Sequence, residues 1–267
     1  MDRLLLTIAS LINTLFLVLL YFNNRKDTIK KIFRYIVVCI IVWIISVLFY
    51  SISPNVHVAF FWIKVSNGIS AFIPVLFWLF SFIFPHREYK VKKIDMVLVI
   101  VLPLFFILAS FTNLLAKKVI ITEGGYYLPV AGILFKFFTI YFLLFFVWGF
   151  KNLFCSYKIS KGVRRLQIKY LFLGVFVTSF IGIITNLVFP MFGIGKLTNL
   201  GPISTMIFVG FTTYAIIRYR LLDTKIVITR VGIFFILYAI VLGIPFYIGY
   251  QTKSWVMAVS FAVFFAT

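Results

Sequence analysis

The chain is divided into apolar runs long enough to cross a bilayer, most of them ended by a short stretch rich in lysine or arginine. A spanning helix needs about 20 mostly apolar residues. Runs of that kind lie at roughly 4–22, 35–52, 58–84, 94–112, 128–150, 170–191, 200–217 and 231–250. A ninth starts at Trp255 and is still running at Thr267. Inside hydrocarbon a helix satisfies every backbone polar group and an open sheet does not. The expected fold class is therefore all-α integral membrane: a seven-helix transmembrane bundle (1–230), then an additional helix and a truncated ninth apolar segment (231–267). The first run, Leu4 to Phe22, is not followed by a small-residue cleavage site and reads as a retained helix rather than a signal peptide. Composition agrees, since 63% hydrophobic and 12% charged residues suit lipid better than water.

The net charge of +20 could suggest nucleic acid, but its distribution argues against that. Five basic residues lie between Arg25 and Arg34, four between Arg87 and Lys93, six between Lys151 and Lys169, and four between Arg218 and Arg230, which makes 19 of the 26. All fall after odd-numbered runs, on one side of the membrane. Arg3, Lys64, Lys117, Lys118, Lys196 and Lys253 fall on the other. Positive loops stay cytoplasmic, so the N-terminus is expected outside and residues 218–230 inside, in a bacterial inner membrane. Trp62, Tyr126, Tyr127 and Trp255 would mark the outer interface, and Trp148, Tyr157 and Tyr219 the inner one. The two cysteines, Cys39 and Cys155, make no disulfide framework.

Prolines 74, 103, 190 and 202 lie in or beside helices, and the first two are expected to kink theirs. The longest external segment reads Lys117-Lys118-Val119-Ile120-Ile121-Thr122, Glu123-Gly124-Gly125, Tyr126-Tyr127-Leu128-Pro129. Two β-prone stretches around a Gly-Gly turn suggest a small hairpin over the outer mouth, with a plain connector as the alternative.

Catalytic chemistry is scarce. The six acids (Asp2, Asp27, Glu88, Asp95, Glu123, Asp223) sit at helix ends or in loops, and His57 and His86 fall on opposite membrane faces. No paired carboxylates, metal-ligand spacing, phosphate loop or nucleophile elbow appears. No enzyme activity, cofactor or metal is expected of this stretch. The polar residues within spans are Asn13, Lys64, Asn67, Lys136 and Asn186. An ionisable residue in a span is a functional hypothesis by default. Facing inward, Lys64 and Lys136 could hold the carboxylate or phosphate of an extracellular or membrane-borne ligand; facing outward, each would snorkel to the headgroups. Asn67 and Asn186, like Asn13, could line a ligand cavity or serve as interhelical hydrogen-bond glue.

Three stretches go beyond hydropathy. The sixth run ends Ile184-Thr185-Asn186-Leu187-Val188-Phe189-Pro190. The seventh opens Leu200-Gly201-Pro202-Ile203 and closes Tyr214-Ala215-Ile216-Ile217-Arg218-Tyr219-Arg220-Leu221-Leu222-Asp223. The third run closes Phe80-Ser81-Phe82-Ile83-Phe84-Pro85 before a basic loop. Together they resemble the N-terminal seven-transmembrane sensor region of bacterial membrane-bound histidine kinases, over roughly residues 1–230. The resemblance implies an input module for signal transduction in a two-component system. Arg218, Tyr219, Arg220 and Asp223 would form its signal-output linker, and a homodimer is implied. The run after Arg230 departs from that pattern. Its successor, from Trp255 to Thr267, spans about 20 Å at 1.5 Å per residue. That is short of a bilayer and suggests that a downstream part, including any kinase, is missing. The alternative reading is a small-molecule or lipid transporter or accessory membrane protein, weakened by the absence of a convincing repeat between the halves. A membrane-embedded lipid-modifying enzyme ranks third, for want of acids and histidines.

Overall fold

The computed structural model describes residues 2–21, 28–84, 93–122, 127–193, 195 and 197–219. The expected hairpin at 231–267, Arg220, Asp223 and the Gly124-Gly125 turn lie outside the described residues.

Among the described residues nine α-helical segments follow one another: α1 (Asp2–Tyr21), α2 (Thr28–Ser51), α3 (Val56–Ser70), α4 (Phe72–Ile83), α5 (Lys93–Phe111), α6 (Phe135–Ile159), α7 (Gly162–Ile183), the short α8 (Phe189–Met191) and α9 (Leu200–Tyr219). A π-helical turn, Ile184–Val188, joins α7 to α8. Strands β1 (Ala116–Ile121) and β2 (Tyr127–Ala131) stand between α5 and α6. Among the described residues six stretches are long and apolar enough to cross a membrane: Arg3–Leu20, Thr28–Ser51, Val56–Ile83, Lys93–Phe111, Phe135–Ile159 and Gly162–Met191. A shorter apolar stretch, Leu200–Ile216, follows in α9.

Several helices outrun their apolar cores. α2 begins at Thr28 rather than near 35, α6 continues to Ile159 rather than 150, and α7 begins at Gly162 rather than 170. The extra turns carry Lys30, Lys31 and Arg34 on α2, Lys151 and Lys158 on α6, and Arg164, Arg165 and Lys169 on α7. The start of the fifth span is a correction: residues 127–131 are strand, and α6 opens only at Phe135. The third run breaks at Ala71, where α3 gives way to α4. Pro74 has no N–H to donate to the Ser70 carbonyl, and the Ala71 N–H reaches back only three residues, to Gly68 at 3.3 Å. α5, by contrast, runs on through Pro103.

Helices α1, α2, α3–α4, α6, α7 and α9 neighbour one another in a ring, α9 returning to α1, with α5 outside it against α3 and α4. Lipid supplies no hydrophobic drive between helices, so association rests on close packing and interhelical hydrogen bonds. Close packing dominates between α4 and α6. Gly149 lets α6 approach so nearly that a Cβ there would meet the Phe77 ring at 2.6 Å. Phe77 lies 5.2 Å from Phe146, and Trp78 meets Phe145 edge-on at 5.5 Å. α7 and α9 approach similarly through Gly174, whose Cβ would lie 2.8 Å from Phe211 Cβ.

The expected hairpin forms. β1 and β2 pair antiparallel, Ile121 opposite Tyr127 and Ala116 opposite Ala131, with an irregularity between Ala116 and Lys118. Its base is closed by Gly132 N–H to Leu115 O (2.8 Å) and Leu134 N–H to Leu114 O (3.0 Å). The Tyr127 hydroxyl ties it to the loop after α2 by donating to Ser53 O at 2.9 Å.

Candidate functional site: a cavity along the bundle axis

The ring of helices encloses a cavity of about 150 Å³, walled by α2, α3–α4, α6, α7, the π turn and α9. An engineered cavity of about that size admits benzene. The hairpin walls one end through Leu115, Ala116, Pro129, Val130 and Ala131. At the opposite, basic end Phe33, Phe80, Leu171 and Phe208 reach the cavity. Phe33 lies 5.4 Å from Phe80 and 5.8 Å from Phe208, so three rings from α2, α4 and α9 make a floor.

A polar strip runs up the wall. On α3, Ile63, Ser66, Asn67 and Ser70 all line the cavity. Their i, i+3, i+4, i+7 spacing is one face of a helix. Ser70 donates to the Asn67 carbonyl (3.0 Å), whereas the Ser66 hydroxyl and the Asn67 side-chain amide make no hydrogen bond among the described residues. Across the cavity, Thr178, Ser179 and Asn186 contribute from α7 and the π turn, and Thr205 from α9.

The π turn has a local cause. Pro190 cannot donate to the carbonyl of Asn186, four residues back, and Phe189 N–H reaches five residues back to Ile184 O. Single π turns within α-helices often mark functional positions. Here the turn carries Asn186, whose Nδ2 donates to Thr185 Oγ1 at 2.9 Å. Gly201 at the start of α9 leaves room for that side chain, since a Cβ there would stand 1.9 Å from Asn186 Nδ2. The Ile184–Pro190 and Leu200–Ile203 motifs are thus one contact.

From that contact α9 is bonded to α7 along its length. Thr178 Oγ1 donates to Ser204 O (2.9 Å), and Ser204 Oγ donates back to Thr178 O (3.4 Å). Asn13 in α1, fully buried, donates through Nδ2 to Thr205 Oγ1 at 3.0 Å. At the basic end Gln167 Nε2 donates to Tyr219 O (2.7 Å), and Tyr170 stacks on Tyr219 at 5.3 Å and 18°. α9 therefore touches the cavity at Thr205 and Phe208 and closes, ten residues and more beyond, with Arg218 and Tyr219.

The structure brings Asn67 and Asn186 to opposite walls of this one cavity. Asn13 takes the glue position. Lys64 and Lys136 are not among the lining residues. Lys64 Nζ donates to Phe111 O (3.2 Å) and Asn113 Oδ1 (3.4 Å) at the end of α5 and sits 4.3 Å over the Phe60 ring, while Ser110 Oγ donates to the Lys64 carbonyl. Lys136 is the second residue of α6 and is exposed. Arg218 and Tyr219 close α9. Sequence reasoning missed Ser66, Ser70, Thr178, Thr205, Gly201 and the aromatic floor. The α3 spacing and the Asn186-to-Pro190 interval of four were the available signals.

No group of three or more histidine, cysteine or acidic side chains that could hold a metal occurs among the described residues. The molecule is thus a multi-pass α-helical membrane protein with an internal cavity and a helix leading from that cavity to its basic end. The chain belongs to the family described as the N-terminal 7TM region of histidine kinase, whose model matches residues 5–225. A comparison with curated proteins gives no match. As a member of this family the chain is a membrane sensor input module.

Proposed function

We propose that this chain is the ligand-sensing input part of a bacterial sensor histidine kinase, seated in the cell (inner) membrane with its N-terminus outside. The hairpin end would then face outward and the basic ends of α2, α6, α7 and α9 the cytoplasm. The kinase region lies outside the chain, beyond the output linker formed by Arg218, Tyr219, Arg220 and Asp223. The observation that carries this reading is the family match over residues 5–225. The path of α9 from Phe208 to Tyr219 supports it.

A ligand shifts such a bundle only by binding one arrangement better than another. An occupant of the cavity would touch Phe208 and Thr205 on α9 and Asn186 on the π turn together. Any preference for one α7–α9 arrangement would then be passed along α9. Homodimerisation, as in a receptor whose subunits phosphorylate each other, belongs to the same proposal.

The reading is tested in the gene. The open frame that continues past codon 267 is expected to encode a histidine-bearing helix and an ATP-binding domain. A stop codon there, with no kinase frame following, would overturn it.

A further inference from the structure

We infer that the cavity binds an uncharged single-chain amphiphile, its hydroxyl or carbonyl head between Asn67 and Asn186 and its tail on the aromatic floor. This deepens the sensor reading and rests on it for its purpose, but not for its chemistry.

Charge is decided by the wall. No lysine, arginine, histidine, aspartate or glutamate is among the described lining residues, and both candidate lysines lie elsewhere. An ion taken into such a wall would lose its hydration without gaining a counter-ion, a cost far above that of burying a neutral hydroxyl. A carboxylate or phosphate ligand is therefore a poor fit, whatever the net charge of +20 suggests.

Shape is decided by length. On α2 the lining extends from Phe33 to Tyr50, and on α7 through α8 from Leu171 to Pro190. Seventeen residue steps at 1.5 Å make about 25 Å along α2. A lining drawn out over that length makes the cavity elongated, which suits an extended chain. Its rings at Phe33, Phe80 and Phe208 offer the tail an apolar end.

The head is placed by unused hydrogen-bonding capacity. The Ser66 hydroxyl and the Asn67 amide make no hydrogen bond among the described residues, and Asn186 is engaged only through Nδ2. These groups provide both donors and acceptors, which a hydroxyl or carbonyl can meet. A plain alkane would leave them unpaired.

The test uses the whole chain reconstituted in lipid nanodiscs and labelled with a diazirine-bearing decanol. Competition by 1-decanol, decanoate, decylamine and decane is compared at equal mole fraction in the bilayer. Label is expected on α3, the π turn and α9, displaced by 1-decanol at least tenfold more effectively than by decanoate or decylamine. Decane should compete about tenfold less well than decanol. In Asn67→Leu/Asn186→Leu protein that advantage over decane should disappear. Equal competition by decanoate would overturn the inference, as would label confined to exposed positions of α5 such as Leu108. The head-group series on the unaltered chain decides the matter even if the double variant fails to fold. The two proposals fail separately: decanol selectivity without a kinase frame past codon 267 sinks the sensor, and the reverse sinks the ligand class.

Discussion

The α4–α6 interface and the α7–α9 interface both rest on a glycine that admits a phenylalanine, but they are made of different material. Between α4 and α6 ring contacts dominate, Phe77 on Phe146 and Phe150 and Trp78 on Phe145 and Trp148, beside one side-chain hydrogen bond from Asn152 Nδ2 to Ser81 Oγ. Between α7 and α9 hydroxyls, amides and carbonyls, broken by a π turn, join the contacts of the Tyr170 ring with Phe211, Tyr214 and Tyr219. Interlocked rings have few alternative packings of equal energy. A Thr178–Ser204 pair can exchange partners with little loss, because interhelical hydrogen bonds in membranes are each worth only about 1 kcal/mol or less. On the proposed sensor reading, the α4–α6 side of the cavity is the fixed wall and the α7–α9 side the part that moves.

Truncating the wall should cost most. Phe77→Ala removes a buried ring facing Phe146, Phe150 and Gly149 and should destabilise the bundle by about 3 kcal/mol, measured by reversible unfolding in bicelles. Next comes a wedge on the other side. Gly174→Val places a Cβ 2.8 Å from Phe211 Cβ and should cost about 2 kcal/mol. Thr205→Val removes the partner of Asn13 Nδ2 and should cost about 1 kcal/mol in the same assay. A loss equal to that of Phe77→Ala would erase the distinction between wall and seam. Smallest is Gly182→Ala, whose Cβ meets nothing within 4 Å and which should stay within about 0.5 kcal/mol.

The spans were legible because hydropathy reports hydrocarbon thickness directly. Helix ends were less so: at Thr28–Arg34 and Gly162–Lys169 basic residues break up the apolar run although the helix continues. Residues 128–131 misled for the opposite reason. Pro129, Val130 and Ala131 line the cavity and Leu128 is buried beside Gly195, so an apolar strand was read as span. Asn67 and Asn186 were legible as polar residues in spans. Lys64 was equally conspicuous, yet its long side chain reaches the α5 carboxyl end instead of the cavity. Phe33, Phe80 and Phe208 could not be singled out among 35 phenylalanines, because only packing distinguishes a floor from a lipid-facing ring.

Filling the cavity should move the basic end of α9 relative to the aromatic wall. Nitroxides on Lys151→Cys in α6 and Arg218→Cys in α9, both exposed sites, measure that distance in a Cys155→Ser background, since Cys155 is an exposed free thiol. Gly182→Leu fills the cavity from its own wall, and Gly210→Leu adds the same side chain at an exposed position on α9 with open space around it. The account predicts a shift of about 2 Å in the spin–spin distance with Gly182→Leu and none with Gly210→Leu. Identical distance distributions in both variants and the parent would contradict it.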